Sequence, residues 1–226
     1  MSKATVIPKP LDILNAMFEL IVSGGLLRDF LSSFSLCLKG MGYAVSISLL
    51  IGYLSALPFF KPVSRFVTIL RFLPSVGLTF LFLSLSSSIE DEKVMLLTYS
   101  IAVFYVTSVM GILNSVTNDD LNYARTLQMS EWKVFYEVKV LGKAHEMWDA
   151  MGQVFAIAWM MLAMVENLCK SEGGLGVVLS DNNKHFNFDQ VYATLLLILL
   201  TGISLDLFIK FLKGIIFPYS ILTLEK

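Results

Sequence analysis

The residues able to do chemistry are few and scattered. His145 and Glu146 are adjacent, and Asp181, His185 and Asp189 form a second group. A histidine beside carboxylates suits proton transfer or a divalent metal. The two histidines fall in separate loops, predicted on opposite membrane faces, so no single site can use both. Cys37 and Cys169 form no paired CxxC and read as apolar thiols, with neither a disulfide framework nor a metal site implied. The chain lacks GxxxxGK[ST], GxSxG and HExxH signatures. We therefore expect no catalytic residue, no metal ligand and no nucleotide held by this chain. Three ionisable residues remain, Glu166, Asp206 and Lys39, because each sits in or beside a long apolar run. Such groups are functional candidates by default, facing a cavity or partner rather than lipid. For Glu166 a capping carboxylate and a pathway or gating role weigh equally. Asp206 pairs most simply with Lys210 four residues on, and Lys39 can snorkel to the surface.

The apolar runs decide what positions these groups. Of 226 residues, 56% are hydrophobic and only 15% charged, and the mean hydropathy is +0.72. Soluble domains carry about 25% charged residues. Residues 40–60, 72–89 and 94–118 carry no charge, 150–165 carry none, and 190–209 only Asp206. A spanning helix needs roughly 20 apolar residues. The expected architecture is all-α and polytopic, with about five transmembrane helices near 36–60, 68–89, 94–116, 147–168 and 190–212. A soluble core of that many all-round apolar helices is disfavoured.

Orientation follows the basic residues. Lys61, Arg65 and Arg71 follow the first span, Arg125, Lys133, Lys139 and Lys143 the third, and Lys210, Lys213 and Lys226 the fifth. Lys3, Lys9, Arg28 and Lys39 blur the asymmetry on the other side. The best fit places the N-terminus outside and the C-terminus in the cytoplasm. Ahead of the first span, Leu11, Leu14, Phe18 and Ile21 recur at helical spacing behind Pro8 and Pro10, up to Gly24 and Gly25. This run is too short to span and reads as an interfacial or partner-packing helix. Glycines at 40, 42, 52, 77, 111, 152 and 202 offer close helix approach.

Between the third and fourth spans, residues 122–142 read NYARTLQMSEWKVFYEVKVLG, an amphipathic island of mixed charge. With this stretch in view the chain resembles the transmembrane permease subunit of type I ABC importers, in the nitrate/sulfonate/taurine/bicarbonate group. Residues 7–36 resemble the family's "LPsP" stretch and following span start, and LRFLPSVGL (70–78) resembles "LRxIPxxAL". YARTLQMSEWKVFYEVKVL is similar to the "EAARTLGAsxWxvFxxVxLP" coupling loop. Val165-Glu166, Gly173 to Gly176 and Leu205-Asp206 resemble its "AE…GLG…LLD" pattern.

The resemblance implies a permease half whose cytoplasmic loop, 118–144, is a coupling helix docked on an ABC ATP-binding subunit. Tyr123, Ala124, Arg125, Thr126, Leu127, Gln128, Met129, Ser130 and Trp132 match that loop, with Val134, Phe135 and Val138 continuing its apolar stripe. It further implies a second permease subunit, identical or not, an extracytoplasmic substrate-binding protein, surrounding lipid, and ATP with Mg in the partner ATPase. No nucleic-acid partner is expected, and the location would be a bacterial inner membrane. Three parts follow: an N-terminal amphipathic segment (1–31), a permease domain (32–215) and a cytoplasmic tail (216–226). Glu, Gly and Pro of the family motif are here Asn122, Gln128 and Leu141, and its first Ala is Tyr123. An altered turn is therefore expected, because Gln tolerates positive φ poorly, with Gly142 standing in for the Pro as helix stop. The family also carries one more span before "LPsP", leaving open a five-span form or an upstream start. The alternative to transport is a membrane anchor or scaffold for a partner complex.

Overall fold

The computed structural model describes residues 8–22, 25–55, 60–169 and 173–218. The expected tail beyond 218, the first seven residues, Gly24 and positions 56–59 of the first expected span lie outside them. Helix α1 (Pro10–Val22) opens with Pro at its first position and Asp12 in its first turn, both favourable at a helix N-terminus. It packs on the helices at Gly25–Ser55 and Phe188–Ile216 through the face carrying Ala16. Its expected stripe of Leu11, Leu14, Phe18 and Ile21 faces outward.

Helices α2 (Gly25–Ser55), α5 (Ile89–Asn114), α8 (Ala144–Cys169) and α10 (Phe188–Ile216) are, among the described residues, long and apolar enough to cross a membrane. With 31 residues, α2 is about 46 Å long at 1.5 Å per residue, which exceeds a hydrocarbon core of about 30 Å. The centre of the bundle is α5, sandwiched between α2 and α8. Its N-terminus is capped by Ser88, whose hydroxyl accepts from the Asp91 amide, and Glu90, Asp91 and Glu92 fill the first turn.

Gly40 and Gly52 set how closely α2 approaches α5. A Cβ at Gly40 would lie 2.9 Å from Leu97 Cδ2, and one at Gly52 would lie 2.3 Å from Val109 Cγ1. Gly42 and Gly111, also expected at close contacts, face open space. Helix α10 stands at the edge, tied to α8 by two indole donors: Trp159 Nε1 to the Ile198 carbonyl (3.0 Å) and Trp148 Nε1 to that of Ile209 (3.2 Å).

The expected span at 68–89 is not a continuous helix. It is divided into α3 (Lys61–Leu70), a 3₁₀ turn at Ser75–Leu78 and α4 (Thr79–Leu85). Pro74 supplies the reason: its backbone is extended (φ −67°, ψ 126°) and it has no amide to continue the helix. The broken segment runs along α5, with Thr68 Oγ1 beside Met110 Sδ and Phe82 against Tyr99. At the break the Leu70 carbonyl accepts from the Leu73 amide at 3.0 Å and from Tyr99 Oη at 2.8 Å.

Candidate functional site

The loop between α5 and α8 is built largely from local interactions. Helix α6 (Asn118–Thr126) starts with a reciprocal cap, Thr117 Oγ1 accepting from the Asp120 amide and the Asp120 carboxylate accepting from Thr117. Those hydrogen bonds from Thr117 hold the Asp120 carboxyl below the ordinary carboxylate range. After α6 the chain reverses through Gln128, which adopts φ +58°. The altered turn expected from the missing glycine does not occur. The left-handed geometry is kept, with Gln in a conformation that costs a side-chain-bearing residue about 1 kcal/mol.

Helix α7 (Glu131–Val134) follows, and Arg125 clips the turn shut. Its Nε and Nη2 donate to the two Glu131 carboxylate oxygens at 2.9 and 3.1 Å, and Nη1 donates to Asn122 Oδ1 at 3.2 Å. The Arg125 guanidinium keeps the Glu131 carboxyl below its usual value. Residues Phe135–Leu141 then form a π-helical stretch closed by Gly142 N–H to the Glu137 carbonyl (2.9 Å). Such wide turns recur at functional positions. Gly142 ends this stretch, as expected in place of the family proline, but not in the left-handed conformation usual for a glycine stop. Its φ is −61°, and a Cβ there would meet the Val138 carbonyl oxygen at 2.6 Å.

The side chains of this loop divide by face. Tyr123, Leu127, Trp132 and Tyr136 point outward, Trp132 with 79% of its surface exposed. Ala124 and Val134, expected on a partner-facing stripe, are buried within this chain at 4% and 2% exposure. The Thr126 hydroxyl turns back onto the Tyr123 carbonyl, and Ser130 immediately precedes α7. Met129 joins Tyr123, Ala124, Leu127 and Val138 around a groove of about 440 Å³. Phe135 packs edge-on against Tyr53 near the end of α2, and Tyr53 Oη contacts Met147 Sδ on α8. The loop is thus mechanically joined to two long helices.

At the other end of the bundle, Glu166 is 1% exposed. Its carboxylate accepts from Ser33 Oγ (2.5 Å) and from the Gly176 amide (2.7 Å). Ser33 Oγ in turn accepts from the Leu175 amide, and Asp29 Oδ1 from the Gly174 amide. Three consecutive amides at the start of α9 (Leu175–Lys184) are thereby held by side chains of α2 and α8. Glycine is needed here: Gly173 and Gly174 have φ of +86° and +120°. A Cβ on Gly174 would lie 2.6 Å from Glu166 Cδ, and one on Gly176 would lie 2.3 Å from the Ala163 carbonyl oxygen. Sequence reasoning singled out Glu166 and the glycines but missed Ser33 and Asp29. The available signal was their i, i+4 placement on one helix face.

The remaining candidates do not join these sites. Asp206 pairs with Lys210 at 2.6 Å on α10. Lys39 lies exposed on α2, away from Glu166's hydrogen-bonded partners. His185 Nδ1 contacts the Asp181 carbonyl, and among the described residues no three His, Cys, Asp or Glu side chains gather at metal-binding range.

Comparison with known proteins places this arrangement. Residues 44–218 match the family of binding-protein-dependent transport system inner membrane components. A probable ABC transporter permease protein of Brucella melitensis is 23% identical over 208 residues, covering 90% of this chain and 83% of its own length. The putative aliphatic sulfonates transport permease protein SsuC of Bacillus subtilis is 26% identical over 216 residues, covering 93% and 76% respectively. The fold is shared with the crystal structure of an amino acid ABC transporter with histidines, at TM-score 0.70 and 14% identity over 93% of this chain and 98% of that one. The match of residues 44–218, most of the chain, shows that this multi-pass membrane protein belongs to the binding-protein-dependent transport system inner membrane components, the permease subunits of type I ABC importers.

Proposed function

We propose that this chain forms half of the translocation pathway of an ATP-driven importer for a small anionic, sulfonate-like solute, in the nitrate/sulfonate/taurine/bicarbonate group. The observation that carries the coupling role is the exposed apolar set Tyr123, Leu127 and Trp132 on a turn locked by Arg125 and Glu131. Large aromatic residues held rigidly in the open are what a partner's groove needs, since such anchors dominate interface energy. The relative named for aliphatic sulfonates supports the solute class.

In this reading the loop at 118–144 faces the cytoplasm and seats in a groove of an ABC ATP-binding subunit. Two such subunits, holding ATP and Mg, serve two permease halves, the second identical or related. An external binding protein delivers the solute. The N-terminus is outside and the C-terminus cytoplasmic, in a bacterial inner membrane. Closure of the ATPases on ATP pulls the loops, and the contact of Phe135 with Tyr53 passes the movement to α2. The pathway then opens outward, and hydrolysis resets it.

The test is co-purification of the cognate ATPase with wild type and with the double variant Leu127→Glu, Trp132→Glu. Charges placed in an apolar groove should abolish capture while the permease remains folded. Capture at the wild-type level would overturn the coupling assignment. Ala124→Glu is a poor probe, because Ala124 is inside the chain.

A further inference from the structure

Arg28, Ser32, Ser35 and Lys39 recur at i, i+4, i+7 and i+11 along α2, which places them on one face. They line a cavity of about 470 Å³ with Glu90 from the first turn of α5 and Lys93 just beyond it. Lys93 is the unusual member. It is 5% exposed, and among the described residues no carboxylate lies within ion-pair distance of its ammonium. Glu166 acts on it electrostatically from beyond ion-pair distance, its oxygens held by the Ser33 hydroxyl and the Gly176 amide. Lys93 lines the cavity and no acceptor is within hydrogen-bond distance of its ammonium among the described residues, so an anion in the cavity would meet it there.

Arg28 and Lys39 likewise form no ion pair among the described residues. The one carboxylate on the wall, Glu90, is exposed. The cavity wall therefore has net positive charge, two hydroxyl donors and the ammonium of an otherwise buried lysine. We propose that it is an oxyanion site, taking a sulfonate, sulfate or phosphate group. Lys93 meets the charge, Arg28 offers a planar pair of donors, and Ser32 and Ser35 complete the shell. Two sources share that chemistry, a free solute and an anionic lipid headgroup. Use of the site for cargo rests on the importer reading, whereas its oxyanion chemistry does not.

The experiment titrates methanesulfonate calorimetrically into the full chain in phosphatidylcholine nanodiscs, and separately measures retained phosphatidylglycerol by native mass spectrometry. Saturable methanesulfonate binding, weakened about 30-fold by Lys93→Met, assigns the site to a free solute. Retained phosphatidylglycerol that is lost in Lys93→Met, without methanesulfonate binding, assigns it to lipid. Lys39→Gln, at an exposed position, should weaken either ligand roughly 2- to 5-fold without touching the packed interior. If neither ligand binds, or if both variants bind like wild type, the site is overturned. ATPase capture is read on the same preparations. Lost capture with anion binding intact sinks the importer reading alone, and the reverse result sinks this site alone.

Discussion

The two ends of this bundle solve opposite problems. At the Glu166 end, buried polar groups are paired across distant segments: α2 and α8 side chains grip three α9 amides. At the loop end, the ion pair of Arg125 and Glu131 is exposed and the partners are six residues apart. Large apolar side chains there stand uncovered. The first arrangement suits a fixed joint that needs nothing further. The second holds its own shape cheaply and leaves surface for another protein.

The comparison breaks most severely at Glu166. Glu166→Ala strands the Ser33 hydroxyl and the Gly176 amide in the interior, and should cost on the order of 3 kcal/mol. Thermal unfolding of the purified chain in detergent reads it, and Glu166→Gln, which keeps one acceptor, should lose less. An unfolding midpoint unchanged by both would show that the joint is not structural.

A smaller effect of opposite sign is expected at the loop. Gln128→Gly relieves the left-handed strain and should stabilise by about 1 kcal/mol. Destabilisation would mean that the Gln side chain supports the turn in some other way.

The smallest effect belongs to Arg125→Ala, since the ion pair is solvent-exposed and screened. Its pH dependence carries the sign. Arg125 depresses the Glu131 carboxyl in the folded chain, so the pair's contribution is complete above the unfolded carboxylate value. It is lost as pH falls through the lower folded one. Wild type and variant should therefore converge in acid and differ slightly at neutral pH, in unfolding midpoints measured across that range.

Much of the fold was legible because charge is expensive in an apolar environment. The uncharged runs that become α2, α5, α8 and α10 announce themselves by composition. The division at Pro74 was also written in the chain, since proline cannot continue a helix, but the apolar run around it concealed the break. The loop's position was readable from its polarity, and its faces were not. Ala124 and Leu127 both look apolar in sequence, yet one is buried and the other exposed. The π-helical stretch shifts the register after Val134, a change that helical spacing does not report.

What the sequence alone determined is the class of molecule: apolar helices with polar connections, because each segment's own composition decides whether it can sit in a bilayer. Tertiary structure alone decided which polar residues far apart in the chain meet. Ser33 and Glu166 are 133 positions apart, and Asp29 and the Gly174 amide are 145 apart. Only packed helices bring Lys93 against the stripe from Arg28 to Lys39. Hydrogen bonds and ion pairs act over a few ångströms, so such partners stay invisible until the bundle closes.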